Sequence, residues 1–444
     1  AKVTVSTWDR DGYVFNTVDK LDYMDENRRG ARLQLRYLAS DQLEINVNAD
    51  VTKDRTRTLQ SQPGSPAGAA APYFTGNRYQ ISADHDNIAN RDMWGASITA
   101  DYTLENDMKL TYIGAHREID IFVKSDIDQL PIDVFHSEKF TDTVNMESHE
   151  LRLVSPGTGS LRYVAGLYYY NQDGGAERRI FINNNAIAIV NLFQAKTESY
   201  AGYLNADYDI LPGLTATGGV RYTYEKKKGS LFQSRPGLDY NLPNLRRSDK
   251  NISWTGSLAY KISPDLTAYA TVSRGFKSGG FNLEGPSLPN LPGSALTFGP
   301  EKVTSYEAGL KGRLFDAIRF SLSGFHLIYK DKQVVQLVPA GPIVNIQVTN
   351  AGAAEINGVE AEVSFSPFQG FDLSGNFSHL DTKYTSFPNA ATVNGGLVSF
   401  TGNRVERAPK YTASGQAVYR FNAGPGTVQI SGSASYTGDT YLQP

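Results

Sequence analysis

The sequence predicts an all-β protein, a transmembrane antiparallel β-barrel with short periplasmic turns and long extracellular loops. Three observations carry this. Strictly alternating strands of membrane length recur along the chain, tight turns follow one another at a near-constant interval, and no apolar run approaches the roughly 18 residues of a membrane-spanning helix. A tilted strand needs about 9–11 residues to cross the hydrocarbon core, against about 5–6 in an ordinary globular strand. Only 40% of the 444 residues are hydrophobic, which is what alternation between lipid-facing and lumen-facing positions produces.

The clearest hairpin runs from Phe298 to Tyr329. Glu301, Val303, Ser305, Glu307, Gly309 and Lys311 share one face, and Thr304, Tyr306, Ala308, Leu310 and Leu314 the other, because successive side chains of an extended backbone point to opposite sides. Phe315-Asp316-Ala317 turns the chain, and Ile318, Phe320 and Leu322 resume the apolar row. After Gly324 the alternation weakens, with His326 on the apolar parity. A bulge there, or the end of the membrane-facing part, accounts for it.

From the beginning, Val3 and Val5 alternate with polar residues, and a polar stretch from Asp9 to Arg29 follows. Leu33, Leu35 and Tyr37 then form one apolar row, and Leu43 to Val51 the next, joined by Ser40-Asp41-Gln42. The segment between Asp54 and Arg91 holds the run SQPGSPAGAAAP and reads as an exposed loop. Trp94 to Leu104 resumes the pattern, Glu105-Asn106-Asp107 turns it, and Leu110 and Tyr112 continue it. Further strands are expected at about 147–154, 161–170, 200–210, 214–224, 252–260, 266–273, 356–365, 371–380, 411–421 and 428–436. The turn centres near 41, 106, 157, 212, 264, 316, 368 and 424 are 51–56 residues apart after the first interval, and every intervening connection reads as long. Eight turns give sixteen strands, and the lone first strand makes seventeen. Bacterial single-chain barrels have even counts, so the odd number predicts a missing part at one or both ends.

Composition excludes several classes. A net charge of −3 gives no electrostatic case for nucleic acid, and the absence of cysteine removes disulfides and thiol chemistry. The 26 tyrosines suit interfacial girdles, which need a ring with one wet end. The chain opens on Ala1-Lys2 without a signal segment. The six histidines are scattered, with none at metal-ligand spacing; Asp84-His85-Asp86 offers ligands to a divalent cation in the first long loop but reads first as a solvated loop, so no metal site is expected. No nucleophile motif or phosphate loop occurs, so neither an enzyme nor a cofactor is expected.

Assigning the apolar parity to lipid places Arg36, Glu44, Asp50, Asp101, Arg152, Arg221, Glu225, Glu307, Lys311, Glu360 and Glu362 in the lumen, because a mid-bilayer charge on the lipid face costs about 2–4 kcal/mol. These charges are expected to pair along the wall, with the remainder touching an internal plug or a passing solute.

Four segments, ATVSRGFKSGGFN (Ala270–Asn282), FGPEKVTSYEAGLKG (Phe298–Gly312), TNAGAAEINGVEAEV (Thr349–Val363) and GNRVERAPKYTASGQAVYRF (Gly402–Phe421), resemble the barrel of TonB-dependent outer-membrane receptors of the siderophore-receptor-like branch. DRDGYVFN (Asp9–Asn16) is similar to the early barrel of the same family, and the resemblance covers essentially the whole chain, 1–444. It implies a 22-stranded barrel in the outer membrane, a plug domain that contacts TonB, and import of a scarce nutrient, usually a ferric siderophore, driven by the proton-motive force. On that reading the plug, the TonB-contacting segment and the last strands lie outside this chain, and the barrel is a monomer among outer-membrane lipids and lipopolysaccharide.

Ligand contacts are expected where aromatic and basic residues cluster in the long loops. Tyr73, Phe74, Arg78 and Tyr79 form one cluster, Tyr240, Arg246 and Arg247 a second, and Arg274, Phe276, Lys277 and Phe281 a third. Aromatic faces suit planar chelators, and Arg or Lys suits their negative charge. Lys226-Lys227-Lys228 fits lipopolysaccharide phosphates instead. The alternatives are a passive porin-like diffusion channel with an open lumen and a soluble or surface β-rich adhesion protein.

Overall fold

Strand β1 spans Lys2–Arg10, β2 Glu26–Leu38, β3 Leu43–Arg57, β4 Ile88–Thr103, β5 Lys109–Asp126 and β6 Phe135–Val154. The longest follow: β7 Leu161–Ile182, β8 Ile187–Leu211, β9 Leu214–Arg235 and β10 Leu238–Ser263. Then come β11 Leu266–Lys277, β12 Glu301–Leu314, β13 Ile318–Lys330, β14 Ala353–Phe368, β15 Phe371–Ser386, β16 Tyr411–Ala423 and β17 Gly426–Thr437. This computed structural model describes residues 1–58, 72–73, 76–283, 296–340, 343–350, 352–388, 390–391 and 397–441. Each of these strands pairs antiparallel with its neighbour in the series, giving one seventeen-stranded sheet. Among the described residues β1 and β17 each have a single neighbour, and every residue of both is exposed.

The registers put all the expected apolar rows on one side of the sheet. Leu204, Tyr208, Val220, Tyr222, Leu258 and Tyr260 are exposed large side chains on this outer face. On β8, β9 and β10 the outward row is apolar or small from Ile210 to Tyr200, Leu214 to Tyr224 and Ile262 to Ile252, eleven residues in each case. That matches the thickness of the hydrocarbon core. The next outward positions are Glu198, Lys226 and Lys250. An upper aromatic girdle marks the boundary and takes in four of the six histidines: His116 lies 4.9 Å from Trp94, His149 6.1 and 6.2 Å from Tyr112 and Tyr169, His326 6.3 Å from Tyr306 and His379 4.7 Å from Tyr411. Tyr208, Tyr260, Phe315, Phe368 and Tyr419 form the lower girdle at the turn end.

Several sequence expectations are corrected. The strands expected at 147–154, 161–170, 200–210, 214–224 and 252–260 continue far past the girdle, to Phe135, Ile182, Ile187, Arg235 and Leu238. Above the lipid both faces of a strand meet water, so hydropathy stops alternating although the backbone ladder continues. The long connections expected there are therefore partly strand: β7 and β8 are joined by Asn183–Ala186, and β9 and β10 by Pro236-Gly237. The three asparagines of the first hairpin and Gly237 take positive φ, the left-handed conformation that such tight turns require. No bulge follows Gly324: the β12–β13 register is unbroken from Leu314↔Ile318 to Lys302↔Lys330, and His326 simply occupies the girdle. The polar stretch from Asp9 to Arg29 is also largely built, with Val14–Asn16, Asp22–Tyr23 and Gln80–Ile81 forming a small three-stranded sheet.

On the inner face, glycines sit directly opposite aromatic residues. Gly166 pairs with Tyr203, Gly309 with Tyr269 and Gly358 with Phe325. A Cβ on Gly166 would lie 2.5 Å from the Tyr203 ring, and one on Gly309 would lie 2.7 Å from the Tyr269 ring. The missing side chain lets the aromatic ring lie flat across the neighbouring strand.

Candidate functional site in the lumenal wall and outer vestibule

The inner wall of β6 to β9 carries a tyrosine–arginine stack. Arg152 Nη2 donates to Glu150 at 3.0 Å, Tyr203 Oη donates to the same carboxylate, and Arg221 lies 5.2 Å from the Tyr168 ring and 5.6 Å from the Tyr203 ring. On β11 and β12, Tyr269 Oη donates to Glu307 at 2.7 Å and Lys311 Nζ lies 5.8 Å from the same ring. Lower and adjacent lumenal charges pair as well: Arg36 with Glu44 at 2.7 Å, Arg117 with Asp50 at 2.8 Å, Lys109 with Asp101 at 3.1 Å and Lys227 with Glu225 at 3.1 Å. Wall pairing thus accounts for most of the lumenal charges. Glu360 and Glu362 differ: both are exposed and make no hydrogen bond or ion pair among the described residues. They stand on a carpet of Ser321, Ser323, Asn376 and Ser378, their partners in register.

Above the girdle, β8 alone adds thirteen residues, 187–199, or about 40 Å of strand, so the wall rises into a vestibule. Its inner face carries aromatic rings and carboxylate-paired arginines. The Arg178 guanidinium lies between Phe140 and Phe193, 5.2 and 5.3 Å from their centroids, and bonds Asp142 at 2.6 Å. Beside it Leu231, Tyr240, Leu245, Leu283 and Leu296 form a buried cluster against which Phe193 and Phe281 pack. A second cluster, Val334, Ala354, Tyr384, Phe387, Ala390 and Val405, is formed by β14, β15 and the connections beside them. There Tyr384 donates to Glu406, and burial together with that carboxylate holds the phenol well above its ordinary range.

Of the three loop clusters expected from the sequence, the fold keeps Arg78 and Tyr79 of the first together and divides the second and third between the two faces. Arg78 lies 4.7 Å over Tyr79, whose ring meets Tyr13 edge-on at 6.4 Å, with Arg10 5.3 Å from Tyr13; Tyr73 is half-buried, and Phe74 lies outside the described residues. Arg246 and Arg247 are consecutive on β10 and so point to opposite faces. Arg247 faces inward and bonds Asp249 at 2.7 Å, while Arg246 is exposed outside, in register with Lys228. Tyr240 is buried at 8% exposure and contributes packing. Arg274 and Phe276 lie on the outward parity of β11, Arg274 opposite Trp254, whereas Lys277 is exposed on the inward parity and Phe281 covers Gly229 from inside. Phe140, Arg178 and Phe193 were missed because their strands read as loops, although an Arg between aromatic residues was the available signal.

On the outer face Lys196, Lys228 and Arg246 align across β8, β9 and β10. Lys226 and Lys250 lie 5.3 and 5.7 Å from the Tyr224 ring just above the girdle.

A family model described as TonB dependent receptor-like, beta-barrel matches residues 5–444. The pesticin receptor of Yersinia pestis is 26% identical over 218 residues, 49% of this chain and 29% of that protein. The ferrichrome outer membrane transporter/phage receptor of Escherichia coli K12 is 24% identical over 200 residues, 45% of this chain and 24% of its own length. The matched segment therefore spans less than a third of either relative. Among solved structures, the ferric yersiniabactin uptake receptor FyuA of Yersinia pestis superposes with a TM-score of 0.78 at 19% identity, over 99% of this chain and 64% of that one. The ferric preacinetobactin receptor BauA of Acinetobacter baumannii gives 0.69 at 18% identity, over 99% and 65%.

Proposed function

The chain belongs to the TonB dependent receptor-like β-barrel family, and on that premise we propose that it is the wall of an energised receptor that imports a scarce, bulky nutrient, a ferric siderophore in the first place. It is an outer-membrane transport barrel and not an enzyme. The observation that carries the substrate class is the vestibule. A passive pore requires only a lumen, whereas a rigid β-wall rising about 40 Å of strand past the girdle and lined by Phe140, Arg178, Phe193 and Phe281 suits a large planar anion. The exposed Glu360 and Glu362 suit contact with a plug that fills the lumen, supplied by a domain outside this sequence, through which TonB would act. Such a barrel works as a monomer.

The test is uptake of labelled ferric chelates by iron-starved cells carrying the full-length receptor. Uptake is expected to stop when a protonophore collapses the proton-motive force, and Arg178→Ala is expected to weaken chelate binding about tenfold, the equivalent of about 1.4 kcal/mol. Uptake that continues at the same rate in the protonophore identifies the passive channel.

The outward patch of Lys196, Lys226, Lys228, Arg246 and Lys250 supports a lipopolysaccharide contact, since it lies one to two outward positions above the aromatic girdle, at phosphate height. Replacing Lys226, Lys228 and Arg246 together by Gln is expected to lower the lipopolysaccharide that copurifies with the barrel while leaving ligand uptake intact. Unchanged copurification removes the contact.

A further inference from the structure

The two histidines outside the girdle come together. His85, in the segment that follows Ile81, and His136, at the start of β6, stack with ring centroids 3.5 Å apart and planes at 17°. Asp133, from the β5–β6 connection, serves both: its Oδ1 lies 2.7 Å from His136 Nδ1 and 3.4 Å from His85 Nε2. One ligand atom from each of the three residues falls within 4.8 Å of the others. His136 is 1% exposed and backed by Phe181 at 5.4 Å. The segment carrying His85 is held independently of these side chains, because the amides of Asp84 and His85 donate to the buried Asp126 carboxylate at 2.9 and 3.3 Å. Asp84 Oδ1, 3.8 Å from His85 Nε2, is buried and has no hydrogen-bond partner. Glu138 lies 3.7 Å from His136 Nε2 on the far side of that ring.

We propose that His85 Nε2, Asp133 Oδ1 and His136 Nδ1 bind a borderline divalent transition-metal ion, Zn²⁺ in the first place, which staples the first long connection to the β5–β6 connection. Ligand atoms at bond lengths of about 2.0–2.1 Å around a tetrahedral ion stand about 3.4 Å apart, the spacing between His85 and Asp133. The shorter His136–Asp133 separation is that of a hydrogen bond, which opens when the metal binds, the proton between the two atoms being released to solvent. Two imidazoles and one carboxylate select Zn²⁺ and its neighbours over Mg²⁺ or Ca²⁺, which take all-oxygen shells. Asp84 Oδ1 or water completes the fourth position. Sequence spacing could not reveal the site, because His85 and Asp133 belong to different connections.

The experiment is a Zn²⁺ titration of the detergent-purified, chelator-stripped receptor, read by competition with a chromophoric chelator, with Co²⁺ absorption as a geometric probe. One equivalent is expected to bind with a Kd in the micromolar range or below, with an intense tetrahedral Co²⁺ spectrum. His85→Gln and Asp133→Asn, both at partly exposed positions, are each expected to weaken it at least about tenfold. Exchange of the amides at 82–87 and 127–134 slows on binding in the parent protein. Absence of saturable binding, or binding that survives both substitutions, overturns the site.

Discussion

Arginine at Val220 is expected to cost about 2–4 kcal/mol of folding stability, although the native residue beside it is Arg221. Val220 is 48% exposed and sits in the middle of the outward row that runs from Leu214 to Tyr224. A guanidinium there is desolvated by hydrocarbon with no partner within one strand. Arg221, at the same depth, faces the lumen and lies between Tyr168 and Tyr203. Arg221→Val forfeits those ring contacts and the bond that its Nε donates to Thr223 Oγ1 at 3.3 Å, together about 0.5–2 kcal/mol. Denaturant titration of the barrel folded into lipid vesicles separates the two, with the loss of the heat-modifiable electrophoretic band as readout. Equal costs for Val220→Arg and Arg221→Val would refute the assignment of faces.

The second large effect is expected at Gly166. Valine there drives a branched side chain into the Tyr203 ring, 2.5 Å from the position of the new Cβ. Overpacking of this kind costs about 1–3 kcal/mol, and here it also pulls the Tyr203 hydroxyl off Glu150 and loosens Arg152. Gly218 provides the control, because nothing lies within 4 Å of a Cβ built on it, so Gly218→Val is expected to be neutral or slightly stabilising. Adding Tyr203→Ala to Gly166→Val should return part of the loss, and a double-mutant cycle with no coupling would show that the ring does not depend on the gap.

The histidines show how far local pattern reaches. His326 on the apolar parity of β13 looked like a defect in alternation, yet it marks the upper girdle, where a half-polar ring against Tyr306 belongs. His85 carried only the weak signal of its acidic neighbours Asp84 and Asp86, since its other partners arrive from another connection. Two of the three ligand clusters drawn along the chain are split between the faces of the wall for a related reason. Neighbours such as Arg246 and Arg247 were grouped by proximity, but a strand sends them to opposite sides of the wall.

By itself the sequence determined the seventeen strands, their eight tight turns and which parity meets lipid, because the bilayer imposes an apolar row of fixed length on every crossing strand. Only the tertiary structure decided what happens above the lipid. There water contacts both faces, hydropathy no longer alternates, and it is backbone pairing that continues β7 to β10 into a vestibule and sorts Phe140, Arg178 and Phe193 to its inner side. It also decided which lumenal charges are paired and which, like Glu360 and Glu362, stand free, since a partner is fixed by register between strands and not by spacing along one.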